Sequence, residues 1–265
     1  MARYTGSQEV TYSQYTVRVS YAIESSAAGW LAYITAIDAK MSMRTGTYDV
    51  NLFGGFKING TKVGVEFDGL TRTIYGKTYS NYFTGTSNKI NIGARTGSTV
   101  NFNIGFYKVN TYASGDDQLF LYGRGGSTVV QNGLPETPNS GISVSVSIKT
   151  FTLSKQQGAH TSLSTKVNGV EIANGGGIYD GDTLNISFAP ASGYKAACTL
   201  NGAEIPTGYA WSVSGNAEVI STASPLGFVY IDDGANTPYQ VRIDNGGSID
   251  LYRAYIDNGT AIVPY

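Results

Sequence analysis

The chain has one cysteine, one histidine and three methionines in 265 residues. A single cysteine excludes an internal disulfide framework, and Cys198, in Ala196-Ala197-Cys198-Thr199-Leu200, reads as a small buried residue. One histidine, His160, leaves too few ligands for a zinc site and a poor basis for Ser/His or Cys/His nucleophilic catalysis. Charged residues make up only 14% and the net charge is −1, with no basic block, so nothing here forms an electrostatic footprint for nucleic acid or anionic lipid. No apolar run approaches the length of a membrane span, and Met1-Ala2-Arg3-Tyr4-Thr5-Gly6 shows no apolar stretch of a signal peptide. Nucleophile elbow, P-loop and dinucleotide fingerprint are all missing. The expectation is therefore a chain that is not an enzyme, carries no cofactor or metal, and neither binds nucleic acid nor inserts into a membrane.

What is present is the material of turns and strands: 34 Gly and 20 Tyr, with 41% hydrophobic residues, enough to support a core. Periodicity is two nearly everywhere. Tyr15, Val17, Val19, Tyr21 and Ile23 alternate with polar or small residues. Val63, Val65 and Phe67 do the same after the Asn59-Gly60 turn, as do Val100, Phe102, Ile104 and Phe106. Ile142, Val144, Val146 and Ile148 alternate with serines, then the phase slips so that Phe151 and Leu153 carry the apolar face. A β-bulge near Lys149-Thr150 is the economical reading of that slip. The Ala-rich stretch from Ser25 to Lys40 fits a helix or a two-sided strand, and its surroundings favour the strand.

The spacing predicts an all-β protein with an N-terminal β-sandwich over residues 1–155 and a Gly/Ser/Gln-rich linker over 156–165. A small Ig-like or β-repeat module follows over 166–225, and a C-terminal β-hairpin ladder over 226–265. The ladder carries three copies of Ile-Asp-(Asp/Asn)-Gly, at Ile231, Ile243 and Ile256, spaced 12 and 13 residues apart. Asp-Gly and Asn-Gly between apolar runs signal tight hairpin turns. Calcium ligation by Asp232, Asp233, Asp244 and Asp257 is the alternative, although no known calcium-loop pattern is present. Tyr230, Tyr239, Tyr252, Tyr255 and Tyr265 punctuate the ladder as a possible recognition or interface surface, or as cross-strand pairs that hold its register. A carboxylate pair for glycan hydrolysis would have to come from Glu24, Asp38, Asp68 or Glu171, none of which has a local signature.

The second unit resembles the small β-rich repeat of bacterial surface proteins of the internalin-B type. The matching text is Gly181-Asp182-Thr183-Leu184, Ala189-Pro190-Ala191-Ser192-Gly193-Tyr194, Leu200-Asn201-Gly202 and Val213-Ser214-Gly215-Asn216-Ala217-Glu218-Val219. It departs in Cys198, where an aromatic is often found. The whole plan, with Val229-Tyr230-Ile231-Asp232 and Ala254-Tyr255-Ile256-Asp257-Asn258-Gly259-Thr260, is similar to structural proteins of tailed bacteriophages. That resemblance implies a non-enzymatic virion component, either a capsid decoration or head-fibre protein or a tail-tip or baseplate protein. It would be assembled in the host cytoplasm and released by lysis. Its partners would be other virion proteins, copies of itself and a host-surface glycan or protein. The alternative is a carbohydrate-binding or adhesion module of a bacterial surface protein.

Overall fold

The computed structural model describes residues 2–12, 15–41, 46–107, 109, 118–125, 128–135, 142–225, 229–231, 241–244, 249–252, 255–257 and 262–264. Every regular element among them is a strand, so the chain is all-β. The first unit holds β1 (Arg3–Tyr12), β2 (Tyr15–Ser26), β3 (Gly29–Met41), β4 (Thr47–Ile58), β5 (Thr61–Tyr75) and β6 (Ser80–Thr84). It continues with β7 (Ile90–Gly93), β8 (Thr99–Tyr107), β9 (Gln118–Gly125), β10 (Thr128–Pro135) and β11 (Ile142–Ser147). One sheet runs β1-β2-β3-β6, with β7 also on β3; the other runs β10-β9-β4-β8-β11, with β5 on β4. The alternation seen in the sequence puts one face of each sheet into a shared core. Val17, Val19, Ile23, Trp30, Ile34 and Ile37 come from the first sheet and Leu52, Phe56, Ile58, Phe102, Ile104 and Val144 from the second. Apolar side chains from two facing sheets closing on one core define a β-sandwich. The Ser25–Lys40 stretch is strand, the end of β2 and most of β3.

The phase slip near Lys149 is not a bulge. β11 ends at Ser147, Ile148 still packs in the first core, and the next strand belongs to a different sandwich. The apolar face changes phase because it faces a second core, which has no need to keep the first one's register. That unit comprises β12 (Thr150–Gln157), β13 (Thr161–Val167), β14 (Val170–Glu171), β15 (Gly177–Tyr179), β16 (Thr183–Pro190), β17 (Tyr194–Leu200), β18 (Ala203–Ile205), β19 (Tyr209–Ser212) and β20 (Ala217–Pro225). Its sheets run β15-β12-β20-β17-β18 and β14-β13-β16-β19. Leu153, Val167, Leu184, Ile186, Cys198, Leu200 and Val219 fill the core between them.

The expected linker at 156–165 is therefore corrected to the end of β12, a turn and the start of β13, and the boundary at 155 to the two residues before β12. The linker reading failed because the buried positions here, Thr161 and Thr165, are threonines, with only the half-buried Leu163 apolar between them. Thr161 shares a 2.9 Å hydrogen bond with Ser221, and Thr165 donates to the Ile172 carbonyl. Hydroxyls satisfied in this way can be buried without the usual cost, and they hide the strand pattern.

Three Asn-Gly pairs make the tight hairpin turns, with φ values of 48° and 79° at Asn59-Gly60, 52° and 81° at Asn168-Gly169, and 50° and 81° at Asn201-Gly202. Positive φ at both central residues is what type I′ turns require, and Asn followed by Gly accepts it most readily. β12 and β20 run parallel, from Leu153 beside Ala217 to Gln157 beside Ser221. β12 starts beside the first unit, so β20 runs away from it, and the chain leaves the second sandwich at Pro225 on the far end.

Beyond Pro225, β21 (Val229–Ile231), β22 (Val241–Asp244) and β23 (Ile249–Tyr252) form one antiparallel sheet, and β24 (Tyr255–Asp257) and β25 (Ile262–Pro264) form another. The repeats at Ile243 and Ile256 thus begin in strands whose next element returns antiparallel. The Asn-Gly corners themselves, and Asp232 and Asp233, lie outside the described residues.

Candidate functional site

The two sandwiches meet at strand ends. On the first unit, Ala2 stands just before β1, Ser25 near the end of β2, Trp30 near the start of β3 and Arg95 just past β7. On the second, Tyr179 ends β15, Asp180-Gly181-Asp182 turns into β16, and Asn168 heads its own turn. The turn is fixed from behind: Gly181 N–H donates to the Val213 carbonyl and Val213 N–H donates back to Asp182, both at 2.8 Å.

The Asp182 side chain is fully buried. Its Oδ1 accepts from Ser25 Oγ at 2.7 Å and from the Ala2 amide at 3.2 Å, and its Oδ2 pairs with the Arg95 guanidinium. Asn168 Nδ2 donates to Ser25 Oγ at 3.2 Å, which ties a third loop into the same cluster. Around the pair, Trp30 meets Tyr179 edge to face at 5.1 Å and Tyr4 at 5.9 Å. The Arg95 guanidinium lies 4.9 Å from the Tyr179 ring centroid. Tyr179 belongs by sequence to the second sandwich yet packs in the core of the first. Burial, helped by the nearby Asp180 and Asp182 carboxylates, pushes the Tyr4 hydroxyl up to about 12, so it stays protonated and donates to the Asp180 carbonyl. A buried carboxylate held by Ser25, Ala2 and Arg95 ties the docking to this arrangement, since losing its counter-charge is strongly destabilising. Two buried donors, Trp30 Nε1 and Arg95 Nε, have no acceptor among the described residues. A cavity of about 240 Å³ adjoins the cluster, lined by small residues of Ser26–Gly29 together with Arg95, Ile172 and Tyr179.

A second feature lies on the outer face of the other sheet. Asn101 faces Ser145 and Asn103 faces Ser143 across the β8–β11 pair, and the Asn59-Gly60 turn closes one end. Together they floor an open groove of about 370 Å³. Asn103 is held by Ser143 Oγ at 3.2 Å and by Asn59 Oδ1 on its amide at 2.8 Å. The side chains of Asn101 and Ser145 are exposed and hydrogen-bond no other described residue. The groove is neutral and rich in amides and hydroxyls.

Sequence-selected residues fare differently. Tyr230 pairs in register with Arg242 and Tyr252 with Val241 in the three-stranded sheet, whereas Tyr255 pairs with Pro264 in the two-stranded one. The backbone thus distributes these three over two sheets; Tyr239 and Tyr265 lie outside the described residues. Glu24, Asp38 and Glu171 are not brought together as a pair, and Asp68 stands on β5 of the other sheet, beside Phe53 of β4. Asp38 stands beside Arg18 on β2, six residues before Glu24, which separates the two by about 20 Å along the strand. That exceeds the roughly 5–9.5 Å of a glycosidase pair. Each has its own cation: Arg18 at 2.8 Å for Asp38, and Lys89 for Glu24. Glu171 lies in the second sandwich on Lys155 at 2.7 Å. His160, exposed in the β12–β13 turn with φ 59°, stacks on Tyr194 at 4.0 Å, while Cys198 is buried.

Neither Asp182 nor Arg95 stood out in the sequence, where Asp182 is one turn residue among several. Their partners are 87 to 180 residues distant in the chain, a separation with no local signature. Among the described residues no helix is long and apolar enough to cross a membrane. Comparison of the chain with known protein families, characterised proteins and solved structures finds no significant match.

Proposed function

We propose that the chain is a non-enzymatic structural component of a bacteriophage particle, a capsid decoration protein or a tail or baseplate protein. The observation that carries this reading is the series arrangement. One sandwich is clamped end to end on another by a buried ion pair, and the chain departs at Pro225 from the far end into short Tyr-rich strands. Such a chain carries its last segment onward from the end of the second sandwich that lies away from the first. The junction uses its charged residues for geometry, and Glu24, Asp38 and Glu171 elsewhere are each paired with a cation. The Tyr-rich strands are then the part placed to touch a host-surface glycan or protein. The test is gold-labelled antibody against the chain, applied to particles released by lysis of the cells that encode it. Label on the head or the tail supports the reading and tells the two positions apart. Label confined to the cell envelope overturns it.

The neutral Asn/Ser groove favours a second reading, a carbohydrate-binding or adhesion module, because amides and hydroxyls on a rigid sheet suit sugar hydroxyls. A glycan array checks it: saturable binding that is lost in Asn101→Leu supports recognition through the groove, and no binding removes it.

A further inference from the structure

The first sheet is finished differently at its two edges. Beside β3 the outer neighbour is broken into β6 and β7, and both pairings shift register, at Ile37/Asp38 and at Trp30/Leu31. Breaks and bulges of this kind prevent a further strand from adding. At the opposite edge β1 has no such protection. Its ten residues pair with β2 without a single shift, and its sequence, RYTGSQEVTY, contains neither proline nor lysine.

The direction of its free backbone groups follows from one hydrogen bond. Ser25 N–H donates to the Ala2 carbonyl, which makes Ala2 and Ser25 a bonded pair. Bonded and non-bonded pairs alternate along an antiparallel ladder. Tyr4, Gly6, Gln8 and Val10 therefore turn their amides and carbonyls to β2, while Arg3, Thr5, Ser7, Glu9 and Thr11 present theirs outward. All five outward residues are exposed, and no described group bonds their N–H or C=O.

We propose that β1 is the surface through which two copies of this chain join, edge to edge about a twofold axis, so that the sheet continues from one copy into the other. The charges select a second copy as the occupant. Antiparallel pairing centred on Gly6 sets Arg3 of one copy opposite Glu9 of the other, twice, and Thr5 opposite Ser7. Arg3 has no ion pair among the described residues, and the nearest cation to Glu9 is Lys40 at 4.0 Å, with Tyr79 hydrogen-bonded to its other oxygen. Arg3, Thr5, Ser7 and Glu9 each then meet another outward residue, and the four bonded pairs give on the order of eight hydrogen bonds. Gly6, at the axis, brings no side chain to the place where the two strands approach most closely.

Sedimentation velocity and native mass spectrometry of the full chain test the assignment. The wild type is expected to be dimeric. Ser7→Pro removes one outward amide per copy without touching a β1–β2 bond, so the symmetric contact loses two hydrogen bonds and weakens about thirtyfold. Arg3→Glu is expected to dissociate the dimer, and Arg3→Glu with Glu9→Arg to restore it, which keeps the test valid if the proline variant does not fold. A wild type that stays monomeric at its highest soluble concentration, or a dimer unchanged by both Ser7→Pro and Arg3→Glu, overturns the proposal. The geometry of β1 carries it independently of the particle reading, which stands or falls by antibody labelling.

Discussion

Removing Arg95 is the perturbation that bears most on how the two sandwiches are joined. In Arg95→Ala the Asp182 carboxylate stays buried, keeps Ser25 Oγ at 2.7 Å and the Ala2 amide at 3.2 Å, and loses its counter-charge. Breaking a buried ion pair by deleting one partner costs about 3–5 kcal/mol. The two remaining donors pull the cost toward the lower end. The guanidinium's contacts with Tyr179 and Trp30, about 0.5–1 kcal/mol for a cation on an aromatic face, pull it back up. The expected loss is about 4 kcal/mol. Asp182→Asn keeps the shape, and Arg95 borders the cavity, so a smaller loss of about 2 kcal/mol follows. The double variant Arg95→Met with Asp182→Leu removes both charges and should fall well short of the sum. Urea unfolding at pH 7 reads all four proteins through tryptophan fluorescence, since Trp30 sits in the junction and Trp211 in the second sandwich. A loss below about 1 kcal/mol for Arg95→Ala would refute the reasoning, because that is the magnitude of a solvated surface pair.

Three further outcomes follow from single positions. Gly29 has φ 135° and an added Cβ would stand 2.2 Å from the Gly93 carbonyl oxygen, so Gly29→Ala should lose at least about 1–3 kcal/mol, seen as a lower melting temperature. Burial alone would raise the Glu171 pKa, but hydrogen bonds from Lys155, the Thr165 amide and Ser164 outweigh it and hold the carboxyl at about 2. Its contribution is therefore present above the ordinary carboxylate range near pH 4.5 and is lost as pH falls toward 2. The stability gap between wild type and Glu171→Gln should be small at pH 7, this being a half-exposed pair, and should close by pH 2. Cys198 is 1% exposed and burial pushes its thiol pKa up, so a thiol reagent should react with the folded chain only at the rate of unfolding and at once in urea.

The fold was legible wherever one face of a strand is apolar. Val63-Val65-Phe67 and Val100 to Phe106 sit in the core as their alternation requires, and Asn59-Gly60 and Asn168-Gly169 turn as their chemistry requires. Legibility failed at Lys149-Thr150, where a phase slip between two cores reads like a bulge within one. It failed again at 156–165, where the buried residues of a hairpin, Thr161 and Thr165, are hydroxylated. The junction was not legible at all. Ala2, Ser25, Arg95 and Asp182 are ordinary in their own neighbourhoods, and only the folded topology brings them together. The C-terminal tyrosines were visible as a repeat, but a repeat in sequence does not imply a single surface, and the described strands place Tyr230 and Tyr252 in one sheet and Tyr255 in another.

The central structural claim is that the buried pair makes the two sandwiches one body, and native-state hydrogen exchange of individual amides tests it most directly. The Ala2 amide bonds Asp182 across the junction and the Asp180 amide bonds the Lys149 carbonyl between the two units, while the amides of Val19 and Ile34 lie at strand centres in the first core. If the junction opens only when the protein unfolds, junction amides exchange with the same opening free energy as the strand-centre amides, and Arg95→Ala lowers both together. Junction amides exchanging orders of magnitude faster than Val19 and Ile34 would mean that the sandwiches swing freely, and would contradict the account.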